Sequence, residues 1–260
     1  MTTAIQAEAA TRLAEAEQRR APIPRLTDQF TGLDVADAYE IQLANIRRRV
    51  AGGAVVRGHK VGLSSRVMQR MMNVDEPDYG HLLSDMFVAE NTPIRTAAMC
   101  APRVEVEIGF VLRERLPAPG CTVADVLRCT AFVCPALEII DSRIQDWNLT
   151  LVDTIADNAS SGLVVLGGRA TRVEDVDLRT IGAALRINGS LIATGATGAV
   201  LGNPATAVAW LANKVATFGV VLDAGNIILP GSCTKAYDVA AGQTVRADFD
   251  RLGSVSALFI

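Results

Sequence analysis

The sequence lacks the short motifs that identify many common enzyme classes. It has two histidines, His59 and His81, and no H-E-x-x-H, G-x-S-x-G, Walker or G-x-G-x-x-G pattern. The glycine-rich stretch 195–204 lacks both the glycine spacing and the lysine of a phosphate loop. We therefore interpret this stretch as a turn that leads into a helix.

Cysteine patterns are also missing. The five cysteines are an odd number, none forms a C-x-x-C pair, and several lie in apolar runs. This usage predicts buried free thiols in a reducing compartment. Cysteine and histidine together offer no recognisable zinc spacing, so we expect any metal to be held by oxygen ligands.

Positive charge and long apolar runs are scarce as well. The net charge is −3, and the densest basic run, at 47–49, falls in a helical pattern typical of a solvated face. The N-terminus has no basic region followed by an apolar one, and no stretch approaches the roughly 20 apolar residues that span a bilayer. We expect a cytoplasmic protein without nucleic-acid or membrane partners.

The hydrophobic patterns of this 260-residue sequence predict an α+β protein. Helical periodicity occurs in two N-terminal segments and two later ones, and short β-branched runs between Gly and Pro predict strands that do not alternate regularly with helices. We expect a helical part over residues 1–53 and a catalytic domain over 54–260. The predicted helices are 3–20, 34–50, 122–127 and 204–218, and the predicted strands are 55–61, 103–112, 132–140, 162–166, 184–187, 226–229, 244–249 and 254–260.

The strand at 103–112, RVEVEIGFVL, has the most informative pattern. Because side chains alternate along a strand, Glu105 and Glu107 share one face, about 7 Å apart at a rise of roughly 3.3 Å per residue. Their like charges repel unless a cation or a proton lies between them. An amphipathic strand with its polar face in water is the alternative interpretation.

Glu138 is the only charged residue in the run FVCPALEII. An unpaired buried carboxylate costs several kcal/mol, so buried acids are paired or coordinate metals. Glu105, Glu107 and Glu138 would suit a hard divalent ion such as Mg²⁺ or Mn²⁺. A salt bridge between Glu138 and Arg143 is the competing explanation.

Lys60 is a single cation in GHKVGLSS, flanked by Gly58 and Gly62. Glycine in a strand often marks the close approach of a backbone or a ligand. This lysine could pair with a substrate carboxylate or a developing enolate. On the local pattern alone, a solvent-facing strand lysine is the favoured interpretation.

At these residues the sequence resembles the hydratase and decarboxylase branch of the fumarylacetoacetate hydrolase superfamily, and most of all its 2-oxopent-4-enoate (2-hydroxypenta-2,4-dienoate) hydratases. The similarity runs nearly end to end. The segments that carry it are GHKVGLSS (58–65), MNVDEPDYGHLLSDM (72–86), PRVEVEIGFVL (102–112), PALEIIDSRIQDW (135–147), DTIADNASSG (153–162), AWLANKVATFG (209–219) and LGSVSALFI (252–260).

The resemblance implies a site and a fold. It places the family's metal ligands on Glu105, Glu107 and Glu138, its active-site lysine on Lys60, and further site residues on Asp78 and Ser160. It implies a mixed β-roll with a smaller helical N-terminal part, and members that associate into homo-oligomers or with another enzyme of the same pathway.

The resemblance also implies a reaction, the hydration of 2-hydroxypenta-2,4-dienoate to 4-hydroxy-2-oxopentanoate in aromatic meta-cleavage catabolism, with Mg²⁺ or Mn²⁺. Lys60 would stabilise negative charge, and Asp78 would transfer a proton or orient water. The alternatives are a 4-oxalocrotonate decarboxylase on the same scaffold, an acylpyruvate hydrolase that needs a histidine to activate water, and a non-catalytic partner subunit.

Overall fold

The N-terminal segment forms helices because each long helix begins with a strong cap. The computed structural model describes residues 2–90 and 92–260. In α1, Thr3 and Gln6 form a capping box, and in α3 Asp34 forms one with Asp37. The described helices are α1 (Ala4–Arg19), α2 (Leu26–Gln29), α3 (Val35–Ala51), α4 (Arg66–Met72), α5 (Val123–Cys129), α6 (Leu151–Ala156) and α7 (Pro204–Ala216).

The strands form two sheets. The larger has the order β2-β1-β9-β4-β5-β6-β3, with β10 paired to β4, and the smaller has the order β12-β11-β7-β8. The strands are β1 (Val56–Gly62), β2 (Asp78–Leu83), β3 (Phe87–Val88), β4 (Pro102–Leu112), β5 (Thr130–Asp141), β6 (Ser161–Leu166), β7 (Gly182–Ile187), β8 (Ser190–Ala196), β9 (Ile227–Leu229), β10 (Tyr237–Asp238), β11 (Thr244–Phe249) and β12 (Gly253–Leu258). The mixed sheet and the helical N-terminal part confirm the predicted fold class.

The two faces of the larger sheet bury different kinds of side chain. On β4, Val104, Val106 and Ile108 join the main hydrophobic cluster, which also contains Leu13 of α1 and Ile41 of α3. The N-terminal helices therefore pack into the same core as the sheet. The opposite face of β4 carries the predicted site, and the division of the chain at residue 53 remains a prediction.

Several elements give no clear signal in the sequence. β2, DYGHLL, has every residue buried and mixes Asp78, Gly80 and His81 with apolar residues, so it shows no alternation. α6 has six residues and depends on a capping box of Thr150 with Asp153. Segments this short are determined by tertiary packing more than by periodicity. None of the described helices is both long and apolar enough to span a membrane.

Candidate active site and metal centre

Glu105, Glu107 and Glu138 come together because of strand register. β4 and β5 pair antiparallel, and Glu105 lies directly opposite Glu138 in that ladder. Directly opposed residues project from the same face of a sheet, and Glu107 is two residues further along that face. One carboxylate oxygen from each of the three residues lies within 4.8 Å of the other two. The three glutamates named from the sequence therefore lie together in the structure, and their role as metal ligands remains a prediction.

Two of the three glutamates are buried, Glu105 is half-buried, and several of the buried oxygens are without partners. Glu107 is 1% exposed and Glu138 is 0% exposed. Glu107 Oε2 accepts a hydrogen bond of 2.8 Å from the backbone N–H of Gly231. Among the described residues, Glu107 Oε1 and both oxygens of Glu138 receive no hydrogen bond. Unpartnered buried carboxylate oxygens are the donor set that a hard divalent cation prefers, so the three residues fit such an ion.

Lys60 faces the same cluster and is 3% exposed. Its Nζ lies 3.3 Å from Glu138 Oε1 and donates a hydrogen bond of 2.9 Å to the backbone carbonyl of Ala159. The favoured interpretation of Lys60 as a solvent-facing lysine is therefore wrong. The surrounding strands bury it, which the local sequence pattern cannot reveal.

Asp78 reaches the site because β2 pairs with β1, which places Asp78 opposite Gly62. A Cβ atom at residue 62 would lie 2.1 Å from Asp78 Oδ1, so the carboxyl group occupies the space that a side chain would fill. Asp78 is 1% exposed, and both of its oxygens lack a hydrogen-bond partner among the described residues.

The charges of the site are unbalanced. Burial would lower the pKa of Lys60, but the carboxyl groups of Glu138, Glu105, Asp78 and Glu107 outweigh it, so its pKa lies above the ordinary value and the ammonium stays charged. Four ionised carboxylates around one ammonium would carry a net charge of −3. Burial raises the pKa of Glu138 to about 7 against the opposing effect of Lys60. A divalent cation would relieve this excess of negative charge.

Burial likewise raises the pKa of Asp78, with the Lys60 ammonium acting in the opposite direction. Burial and then the neighbouring Glu138 raise the pKa of Glu107 well above its ordinary range. Carboxyl groups with raised pKa values in a closed site can hold protons near neutral pH, which is the property expected of acid–base groups.

Ser160 lies in an unusual turn beside the site. Asn158, Ala159 and Ser160 have φ angles of 55°, 50° and 53°, three successive left-handed residues that are not glycine. Each such residue costs about 1–2 kcal/mol, so tertiary contacts must hold the turn. Ser160 is 3% exposed, and its hydroxyl oxygen has no hydrogen-bond partner among the described residues.

Sequence reasoning did not single out Asn158, which holds this turn against β2. Its side-chain Oδ1 accepts from the backbone N–H of His81 at 2.7 Å, and its Nδ2 donates to the carbonyl of His81 at 2.9 Å. The signal was available in the D-N-A-S segment, since Asn adopts left-handed φ more readily than other residues with a side chain.

Arg143 does not pair with Glu138, so the competing explanation for Glu138 is wrong. Its Nε donates to Asp157 Oδ1 at 2.5 Å, and its other nitrogens donate to the backbone carbonyls of Asp141, Ser161 and Asp157. The guanidinium is 7% exposed and makes its contacts outside the glutamate cluster. Arg143 is therefore an internally satisfied residue.

The two histidines lie on the other face of the sheet. His59 precedes Lys60 in β1 and pairs with His81 of β2, and strand alternation directs both away from Lys60. His81 Nδ1 lies 2.9 Å from Gln42 Oε1 of α3. Burial lowers the pKa of His81 to about 4 and that of His59 well below its ordinary value, so both are neutral. Neither can activate water at the glutamate cluster.

The remaining site predictions concern cysteine. Four of the five cysteines are buried, Cys100 is half-buried, and all are free thiols, as their spacing predicted. The one group of histidine, cysteine or acidic side chains with metal-ligand geometry among residues 2–90 and 92–260 is the glutamate cluster.

Comparisons with known proteins identify the family of this chain and several of its relatives. The fumarylacetoacetate (FAA) hydrolase C-terminal family matches residues 51–259. A 2-oxo-hept-4-ene-1,7-dioate hydratase of Escherichia coli is 41% identical over 96% of both chains. A 2-keto-4-pentenoate hydratase of Paraburkholderia xenovorans is 42% identical over all of this chain and 96% of its own.

A solved structure has nearly the same backbone. The 4-oxalocrotonate decarboxylase of Pseudomonas putida G7, complexed with magnesium and adipate, superposes with a TM-score of 0.94 at 38% identity and covers 98% of this chain and 97% of its own. The relatives of this chain therefore include hydratases as well as a decarboxylase.

Proposed function

The chain belongs to the fumarylacetoacetate hydrolase family, and we propose that it is a metal-dependent hydro-lyase that hydrates 2-hydroxypenta-2,4-dienoate to 4-hydroxy-2-oxopentanoate. The observation that carries this proposal is the group of Glu105, Glu107 and Glu138, in which Glu138 Oε1 lies 3.3 Å from the Lys60 Nζ. Full-length relatives named as hydratases of such acids support the choice of reaction.

The three glutamates would hold a divalent ion, Mg²⁺ or Mn²⁺. When bound, that ion supplies Lewis-acid polarisation of a carbonyl oxygen. The magnesium complex of the related decarboxylase supports a divalent metal for this scaffold. The presence of all three acidic residues argues against a non-catalytic partner subunit, which has no need of an ion.

The other side chains would act on the organic substrate. The Lys60 ammonium is held charged in a closed site and would stabilise negative charge on a carboxylate or an enolate. Hydration places a proton on C5 and the water oxygen on C4 of the dienoate, while C3 gains a proton and the 2-hydroxyl group loses its own, which gives the 2-oxo product. Asp78, whose pKa is raised, would carry a proton or orient that water, and the Ser160 hydroxyl would hydrogen bond to the substrate.

Decarboxylation is the second candidate because a decarboxylase shares the scaffold. A doubly charged substrate needs a cationic wall at the far end of its pocket. Arg143 would have been the obvious residue, but its donors are occupied by Asp157 and by backbone carbonyls. The occupied Arg143 favours a substrate with one carboxylate, such as 2-hydroxypenta-2,4-dienoate, over a dicarboxylate such as 4-oxalocrotonate. The acylpyruvate hydrolase alternative is disfavoured because both histidines face away from the cluster.

A spectrophotometric assay tests the proposal. With Mg²⁺ or Mn²⁺ the protein is expected to bleach the ultraviolet absorbance of 2-hydroxypenta-2,4-dienoate and to form 4-hydroxy-2-oxopentanoate. With 4-oxalocrotonate it is expected to release little CO₂. Rapid CO₂ release without consumption of the pentadienoate would reverse the choice of reaction and leave the metal site in place.

Three further features of the proposal concern the cell. We propose that the protein acts in aromatic meta-cleavage catabolism in the cytoplasm, that it forms a homo-oligomer, and that it can associate with another enzyme of the same pathway. Size-exclusion chromatography with light scattering would test the oligomeric state directly.

A further inference from the structure

We propose that Asn158 is a positioning residue that acts through Lys60. It would hold the left-handed turn 158–160 so that the Ala159 carbonyl directs the Lys60 ammonium toward the substrate. This inference rests on the proposed function, because it assumes that Lys60 meets a substrate oxygen. Its support comes from the contacts of the turn.

The turn is attached to β2 by a two-point contact. The carboxamide of Asn158 accepts from the His81 N–H at 2.7 Å and donates to the His81 carbonyl at 2.9 Å. Among the described strands, β2 lies at the edge of the larger sheet, and this pair of bonds is made to the backbone of that edge strand. Only a side chain with both a donor and an acceptor at its end can make it.

The backbone of the turn also approaches β2 closely. A Cβ atom at Gly80 would lie 2.3 Å from the backbone oxygen of Asn158, and Ser161 Oγ donates to that same oxygen at 2.8 Å. Gly80 is the residue opposite Lys60 in the β1–β2 ladder. The turn is therefore seated over the part of β2 that lies beside the lysine.

The turn delivers one acceptor to Lys60. An ammonium group has three N–H donors. One is taken by the Ala159 carbonyl at 2.9 Å, and the adjacent Glu138 Oε1 at 3.3 Å is within ion-pair reach. The hydrogen bond to Ala159 and the ion pair with Glu138 together restrict where the ammonium can lie. A lysine without the Ala159 contact would lose that restriction while keeping its charge.

Asn213 provides a matched control elsewhere in the chain. Its Oδ1 accepts from the backbone N–H groups of Gly120 and Cys121, both at 2.8 Å, and its Nδ2 donates to the Cys121 carbonyl at 2.9 Å. Asn213 therefore holds a loop by the same kind of contact, but on α7 and without any link to Lys60. Asn213→Ala removes the equivalent bonds.

The experiment is a double-mutant cycle of Asn158→Ala with Lys60→Ala. We expect Asn158→Ala to lower kcat by roughly 10- to 100-fold, as loss of an outer-shell partner does, with metal affinity within about twofold of wild type. In the Lys60→Ala background, Asn158→Ala should lower kcat by no more than about twofold further. Asn213→Ala should leave kcat close to wild type.

A second readout does not depend on turnover. Binding of 2-oxopentanoate, a saturated 2-oxo acid that cannot be hydrated, is measured by calorimetry in the presence of Mg²⁺ for all four proteins of the cycle. The affinity losses of Asn158→Ala and Lys60→Ala should again be non-additive. Wild-type turnover of the dienoate tests the proposed hydratase function, whereas the coupling in either readout tests the role of Asn158.

Additive effects of the two changes, or an Asn158→Ala protein with kcat and 2-oxopentanoate affinity within about twofold of wild type, would overturn the inference. If Asn158→Ala does not fold, Asn158→Asp takes its place in the cycle. It keeps the acceptor for the His81 amide and loses the donor to the His81 carbonyl, so the same coupling is expected and its absence would equally overturn the inference.

Discussion

Two clusters of buried ionic side chains lie near the Asp157–Ser161 segment, and they differ in how well they are satisfied. In the first, the Arg143 guanidinium donates to the Asp157 carboxylate and to three backbone carbonyls. In the second, Lys60 lies among four carboxyl groups, and most of the carboxyl oxygens have no donor among the described residues. The Arg143 cluster is therefore well satisfied by hydrogen bonds, and the cluster around Lys60 is not.

The difference shows how a structural ion pair is distinguished from a functional site. Burial alone would lower the pKa of Arg143, and the facing Asp157 outweighs burial, so the guanidinium is firmly charged. Burial raises the pKa of Asp157 to about 7, as it does that of Glu138, so the pKa shifts are alike in the two clusters. What differs is that both oxygens of Glu138 lack a hydrogen-bond donor among the described residues, whereas both oxygens of Asp157 accept from Arg143. A protein retains such an arrangement where a cation or substrate supplies the missing partner.

The largest effect is expected in the glutamate cluster. Glu107→Gln or Glu138→Gln removes one anionic ligand with little change of size, so activity should fall below detection and metal affinity should fall markedly. The fold should remain, as circular dichroism would show. Metal titration by calorimetry and the dienoate assay measure the two effects. Unchanged activity and unchanged metal binding in either variant would refute the metal-site assignment.

Replacement of a carboxylate by the corresponding amide should affect stability, and not metal binding, in the Arg143 cluster. Asp157→Asn leaves the guanidinium buried without its carboxylate, and the free energy of unfolding should decrease by about 3–5 kcal/mol. Urea unfolding in the presence of EDTA measures it, with Glu107→Gln as the matched control. In that control the metal-free protein should be as stable as wild type or more stable, because one repelling charge is gone. If both variants lost the same free energy of unfolding, the Arg143 cluster and the glutamate cluster would not differ in how far they stabilise the fold.

Lys60→Ala should separate the substrate contact from the metal contact within one cluster. Metal affinity should be retained, and the rate should fall by roughly two to three decades, because a preorganised charge partner is lost. Asp78 and Ser160 remain in place in this variant. The dienoate assay and a metal titration test both parts, and a rate within about threefold of wild type would show that Lys60 has no role in turnover.

The smallest effect concerns pH. The pKa of Glu138 is raised from the ordinary 4.5 to about 7 in the folded protein, so the folded state holds a proton that the unfolded state releases. Its contribution to stability is therefore fully present below pH 4.5 and is lost as the pH rises to about 7, by at most about 3 kcal/mol.

We expect metal-free wild type to lose stability relative to Glu138→Gln between pH 5 and 7.5, as compared by urea unfolding, and metal affinity to rise over the same range because the proton competes with the ion. Wild type that gains stability relative to Glu138→Gln as the pH rises would contradict the direction of this shift.

The strongest local signals in the chain led to correct predictions. The alternation in RVEVEIGFVL predicted a strand with Glu105 and Glu107 on one face, and β4 confirms it from Pro102 to Leu112. Helical periodicity predicted α1 and α3 to within two residues of their observed ends. These features depend on neighbours in sequence, which a single chain displays directly.

Lys60 and Arg143 were harder because their environments come from residues far away in the chain. Lys60 was interpreted as a surface lysine, and its burial depends on Glu138 and Ala159, which are 78 and 99 positions away. Arg143 was a possible partner of Glu138 until the fold placed Asp157 and the carbonyls of the turn around it. Local sequence patterns carry no information about such distant partners.

The sequence by itself determined the fold class, the family and the set of acidic residues that a hard cation would require. Strand alternation and the family segments are properties of consecutive residues, so the sequence displays them directly. Tertiary structure alone decided the register that sets Glu105 opposite Glu138, the turn at 158–160 that brings Ala159 to Lys60, and the opposite orientation of both histidines. Strand pairing brings together residues that no periodicity relates, and burial then determines which of their charges remain without a partner.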